Sequence, residues 1–139
     1  IRAATVGEVS QDSGDWVFVD IGFAQSSKKS GGIAVADERP RHVCFSELIH
    51  EIQDLVTTNT TPLNLLLEAP LSVAFDKKGN PCGRSIEKRN SATRYWYVGL
   101  GCSVQLAATY VMRAVFDTIR TREIRLVEGF ASFKLKGCK

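Results

Sequence analysis

Apolar residues recur along the chain with two different periods, and the switch between them marks out the elements. Residues 15–23, DWVFVDIGF, and 31–37, GGIAVAD, are short apolar runs joined by a polar stretch. They predict two antiparallel strands and a turn. RHVCF, 41–45, predicts a third short strand, with Pro40 just before it, where a missing N–H costs the ladder little. From Phe45 the period changes. Phe45, Leu48, Ile49, Ile52, Leu55 and Val56 share one side of a helix over 45–56, with Ser46 available as its N-cap. TTNTTP ends that helix, and Pro62 leads into LNLLLEAPL, an apolar strand that meets Glu68 near its end and whose central pairing is not expected to continue past Pro70. Residues 73–86, VAFDKKGNPCGRSI, predict a hairpin turning at Lys78-Gly79-Asn80-Pro81. The longest helix runs over 103–119, where Val104, Ala107, Ala108, Val111, Met112, Val115 and Ile119 keep a 3.6-residue period. EIRLVEGFASF, 123–133, closes the series as a strand.

The order is strand, strand, strand, helix, strand, hairpin, helix, strand. The later strand–helix–strand unit calls for parallel pairing through a right-handed crossover, and the early strands for antiparallel pairing. A mixed sheet covered by helices, an α/β architecture, follows. With 139 residues and no internal repeat or linker, residues 1–139 are expected to form a single domain. No window offers the roughly 18 apolar residues of a membrane span. The start, IRAATVGEVSQDSGD, lacks the basic and apolar regions of a signal peptide, and it lacks an initiator Met, as a trimmed chain would. Cys44, Cys82, Cys102 and Cys138 are too scattered for a zinc knuckle, and only His42 and His50 could assist them. Structural thiols in a reducing, cytoplasmic compartment are expected. A net charge of +3 argues neither for nor against nucleic acid.

Three acids interrupt the apolar strands. Asp20, Glu68 and Glu128 each stand at a strand end, followed by Ile-Gly, Ala-Pro and Gly respectively. A buried, unpaired carboxylate costs several kcal/mol, a large share of a small domain's stability. It therefore persists when paired, neutralised or bound to a cation. If the three strands are neighbours, crowding of the acids favours a divalent ion, and oxygen-only ligands suit Mg²⁺ or Mn²⁺ rather than zinc. Two such ions can activate water and stabilise a leaving oxygen in phosphodiester cleavage. Each acid taken alone has a plainer role, as a turn former or as the partner of a nearby Arg or Lys.

In this order the motifs resemble the ribonuclease-H-like superfamily. VFVDIGFAQSSKKSGGIAV looks like the first hairpin of that fold, as in RuvC-type resolvases. LLLEAPLSVAFDKKGNPCGR is similar to the fourth strand of a group of uncharacterised predicted ribonuclease-H-like nucleases, and IRLVEGFASF is similar to their later strand. The resemblance spans roughly residues 15 to 134. It implies a ribonuclease-H-like fold and a metal-dependent phosphodiester hydrolase, a nuclease. Asp20, Glu68 and Glu128 would be its catalytic, metal-binding acids and Mg²⁺ or Mn²⁺ its cofactor, with Asp20 bridging two cations. Asp76 is a candidate fourth ligand, although its place in a hairpin favours a turn role. Such proteins usually continue into another helix that can bring a further carboxylate. A truncated chain, a missing ligand and a partner supplying it all stay open.

The expected partner is nucleic acid, DNA or RNA, single-stranded or structured; no membrane is expected, and a homo-oligomer stays open. Lys28 and Lys29, in the glycine-containing turn, could contact phosphate or simply keep an exposed loop soluble. Residues 77–97 carry Lys77, Lys78, Arg84, Lys88, Arg89 and Arg94 and then Tyr95-Trp96-Tyr97. Basic groups neutralise phosphates while aromatic rings such as Trp96 stack on bases, or these rings cover the core instead. Arg84 stands out because it follows the hairpin soon after Glu68. VGLGC, 98–102, could admit an anion at a helix N-terminus or permit close helix packing. A P-loop and a Gly-x-Ser-x-Gly elbow are both absent. Two alternatives remain beside the nuclease. One is an actin-like nucleotide-binding phosphotransferase or ATPase, and the other a catalytically degenerate binding or assembly module of the same fold.

Overall fold

The apolar runs become strands of one sheet, and the helical periods lay two helices across it. A computed structural model describes residues 1–22, 28–89, 92–93, 96, 99–118 and 121–130. In chain order the elements begin with β1 (Arg2–Ala3), α1 (Val6–Ser10), β2 (Asp15–Asp20), β3 (Gly31–Val35) and β4 (Arg41–Val43). Helix α2 (Phe45–Thr57) and strand β5 (Leu63–Leu67) follow, then a small ribbon, β6 (Ala74–Phe75) with β7 (Pro81–Cys82). A single 3₁₀ turn at Ser85–Glu87 leads to a second ribbon, β8 (Lys88–Arg89) and β9 (Ala92–Thr93), then to α3 (Leu100–Asp117) and β10 (Ile124–Glu128).

The main sheet has six strands in the order β1-β10-β5-β2-β3-β4. β1, β10, β5 and β2 run parallel, and β3 and β4 are antiparallel to their neighbours. This is the mixed α/β sheet that the order of elements implied. Val17 lies beside Leu65 and Val19 beside Leu67 on one side, and Val19 beside Ile33 on the other. Because side chains alternate across a strand, these residues share one face. They join Leu63, Ile124, Leu48, Ile52, Val56, Ala108, Val111 and Val115 in the core, so α2 and α3 cover that face. Each fully buried Leu or Ile contributes about 1.5–3 kcal/mol, enough to impose the register. The other face carries Trp16, Phe18 and Asp20 on β2, and Leu66 beside Phe18 on β5.

Some elements differ from expectation for local reasons. The N-cap of α2 is Cys44, not Ser46. Cys44 has extended backbone, and its N–H donates to the Glu47 carboxylate at 2.9 Å. α3 starts a turn early, at Leu100, because Gly101 lets it press onto residue 96. A Cβ at Gly101 would stand 2.7 Å from the Trp96 carbonyl oxygen. That is the close-packing role of this glycine. β1 and α1 lay outside the expected set. A two-residue strand has no period to read, and α1 buries no residue. Its Thr5 cap, where the hydroxyl accepts from the Glu8 N–H and Glu8 accepts from the Thr5 N–H, is its main local signal. No helix is long and apolar enough to cross a membrane among the described residues.

Candidate functional site

The three strands that end in acids are neighbours. β5 lies between β2 and β10, all three parallel, so Asp20, Glu68 and Glu128 reach the same carboxyl-terminal rim. They do not all reach it from the same side. The Glu68 N–H donates to the Val19 carbonyl at 2.8 Å, one step beyond the Val19–Leu67 pair, which brings Asp20 and Glu68 side by side. Glu128 pairs instead with Leu67. By the alternation of the pleat, Asp20 and Glu68 belong to the face of Phe18 and Leu66, and Glu128 to the helix-covered face. A one-residue offset in register is the whole cause.

The two sides differ in electrostatics. Asp20 and Glu68 are exposed, and neither carboxylate has a side-chain hydrogen bond or an ion pair among the described residues. Glu128 is saturated. Arg84 donates to it twice, Nη1 to Oε2 at 2.8 Å and Nη2 to Oε1 at 2.6 Å, and the Leu71 N–H adds a third bond at 2.9 Å. The same guanidinium donates from Nε to fully buried Glu87 at 2.8 Å and from Nη1 to the Ser72 hydroxyl at 2.9 Å. Glu87 also accepts from the Arg84 N–H and from the Trp96 indole. Hydrogen bonding to Glu128 raises the pKa of Arg84 above its ordinary value; burial opposes this, and Glu87 adds to the rise. Arg84, expected to contact nucleic acid, thus ties the segment after β7 to the end of β10.

Across the open face lies a feature that sequence reasoning missed. Asp20 pairs with Gly32 on β3, and Gly32 with His42 on β4. Glu68, Asp20, Gly32 and His42 therefore stand at one level on four successive strands. One pair of residues further in, Leu66 lies beside Phe18 and Phe18 beside Ala34, with Pro40 next to them just ahead of β4. All eight line one cleft of about 390 Å³. His42 left no signal of its own, since only the three-strand register gives it a common level with Asp20. Arg41 lines the same cleft, and its guanidinium is bound to Glu51 of α2 at 2.8 Å.

The other candidates separate clearly. The Asp76 carboxylate closes its own turn, accepting from the N–H groups of Lys78 at 2.8 Å and Asn80 at 2.9 Å. These bonds, that of the Asn80 N–H foremost, lower its pKa below 3.8. Lys28, Lys29 and Lys88 are exposed. Trp96 is 7% exposed and meets Phe130 edge-on, which leaves it covering the core and not open to a base. The side chain of Arg89 and the whole of Arg94 lie outside the described residues. Cys44, Cys82 and Cys102 are free thiols, and Cys138 is also outside.

No group of three or more His, Cys, Asp or Glu side chains among the described residues is placed to hold a metal ion. Asp20 and Glu68 supply two adjacent carboxylates, unpaired among the described residues, and Mg²⁺ generally takes one or two carboxylates with waters and phosphate oxygens for the rest. Comparisons with protein-family models, with curated proteins and with solved structures return no match.

Proposed function

We propose that the protein is a Mg²⁺- or Mn²⁺-dependent phosphodiester hydrolase acting on nucleic acid, of ribonuclease-H-like descent, with Asp20 and Glu68 as its cation-holding pair. One observation carries this reading. Two acids at the ends of adjacent parallel strands stand side by side on an open face, with no cationic partner among the described residues. Like charges so close repel, and a hard divalent cation relieves them. When bound, such a cation polarises a phosphoryl oxygen. Asp20 and Glu68 would hold it at the rim, where a nucleic-acid phosphate would be its substrate. Glu128, on the opposite face of the sheet, stays outside this set and anchors the segment around Arg84. Asp76 has no part in it. Lys28, Lys29 and Lys88 supply exposed positive charge for the backbone of the nucleic acid. The free thiols suit a reducing, cytoplasmic setting.

The Arg84–Glu128 pair favours a second reading, a binding module of this fold that has lost catalysis. Mn²⁺ titration calorimetry, with cleavage assays on single-stranded, duplex and hybrid substrates, separates the two. The hydrolase reading expects Mn²⁺ binding and cleavage that Asp20→Asn and Glu68→Gln both abolish. Heatless titration, or cleavage equal in wild type and both variants, removes it.

A further inference from the structure

The cleft beside the acid pair has a layout that specifies more than a cation. Its outer row, Glu68, Asp20, Gly32 and His42, is polar, and its inner row, Leu66, Phe18, Ala34 and Pro40, is apolar. The rows are two residues apart along each strand, about 7 Å. Gly32 and Ala34 leave β3 low between the taller side chains of β2 and β4, two strand spacings or about 10 Å apart. Phe18 forms one wall. It is 42% exposed despite its size, and its ring stacks on Trp16 with centroids 5.6 Å apart and planes 12° from parallel. A Cβ on Gly32 would be 3.5 Å from the Asp20 Cβ and 3.9 Å from the Arg41 carbonyl oxygen, so the floor is open by composition and not because a larger residue could not fold there.

We infer that this cleft receives one unpaired nucleotide, with its base against Phe18 in the inner row and its sugar and phosphate in the outer row between the acid pair and His42. The inference rests on the nucleic-acid reading above and narrows it to single-stranded or locally unpaired substrate. Three observations choose this occupant. An exposed aromatic ring beside the small residues Gly32 and Ala34 suits a planar ring. Placing the acids one row outward puts cation-bridged phosphate about where a stacked base leaves its own phosphate. A volume of about 390 Å³ is of the size that one small ligand such as a single nucleotide fills. The acids repel a bare phosphate, so full affinity for an oligonucleotide requires the cation, whereas stacking of a neutral nucleoside does not.

The test uses a short oligothymidylate carrying one central 2-aminopurine, titrated with the full chain in Ca²⁺, and the neutral 2-aminopurine riboside titrated in EDTA. Saturable quenching is expected with both probes. Phe18→Ala and Gly32→Val should weaken both by roughly 5- to 100-fold, the range of one base–aromatic stack. Phe18→Tyr should stay near wild type. Gly32→Val should melt no lower than wild type, because valine suits a strand better than glycine, so its loss of binding is not loss of fold. Binding without any change in 2-aminopurine emission overturns the inference, as does folded Gly32→Val that binds like wild type. The two readings fail separately. Riboside quenching without Mn²⁺-dependent cleavage sinks the hydrolase and keeps the cleft; cleavage without quenching does the reverse.

Discussion

Replacing Arg84 with Ala should be the most damaging single change outside the sheet core. Its guanidinium is the cation of a group with two carboxylates, Glu87 and Glu128, and its side chain is 16% exposed. Without it Glu87, with no exposed surface, keeps among the described residues only the residue-84 N–H and the Trp96 indole. A buried charge stripped of its partner costs about 3–5 kcal/mol. Glu128 has a side chain 23% exposed and can rehydrate, so its part is smaller, about 1 kcal/mol or less. For a chain of this size each kcal/mol lowers Tm by about 3 °C, which puts Arg84→Ala roughly 10–15 °C below wild type. Urea and thermal denaturation of the full chain by circular dichroism would measure it. Adding Glu87→Gln to Arg84→Ala removes the stranded charge and should recover about half the loss, while Glu128→Gln should recover little. A loss below about 1 kcal/mol, or a double variant no better than Arg84→Ala alone, would refute the claim that Arg84 exists to neutralise Glu87.

Gly22→Ala should cost at least about 2 kcal/mol in urea denaturation, because the added Cβ falls 1.7 Å from the Ser30 carbonyl oxygen and no rotamer relieves backbone. Gly79→Ala, with open space around it but a φ of +83°, should cost only about 1 kcal/mol, through backbone strain alone; equal losses in the two would discredit the packing argument. Leu65→Ala at the centre of the sheet should cost about 2–5 kcal/mol, and a loss under 1 kcal/mol would mean that the core there collapses to fill the space. Asp76 titrates lower folded than unfolded, so its contribution is present above pH 3.8 and is lost as pH falls through the lower folded value. Carboxyl NMR that finds Asp76 titrating at or above 3.8 would show that its turn bonds do not form.

How much could be read in advance differs between scaffold and site. The helix beginning at Phe45, the antiparallel pair of β2 and β3, and the parallel relation of β5 and β10 each follow from periodicity and order. Leu48, Ile52 and Val56, or Val17 and Val19, can be buried together in only one kind of element. The acids were legible as residues that break dry strands, and their arrival at one rim followed from strand adjacency. The plain role of Asp76 was legible too, because a turn is decided within five residues.

By itself the amino-acid sequence determined the strands β2 to β5 and β10, the helices α2 and α3, the mixed sheet they build, and which carboxylates end its strands, since each of these depends on neighbours along the chain. Only the tertiary structure decided which acids face each other. The register set Glu128 one step out of line with Asp20 and Glu68, Arg84 arrived from 44 residues away to neutralise it, and β4 carried His42 to the level of Asp20. Register and ion pairing are settled by contacts between distant segments, where a shift of one residue moves a side chain to the opposite face. No local pattern records that choice.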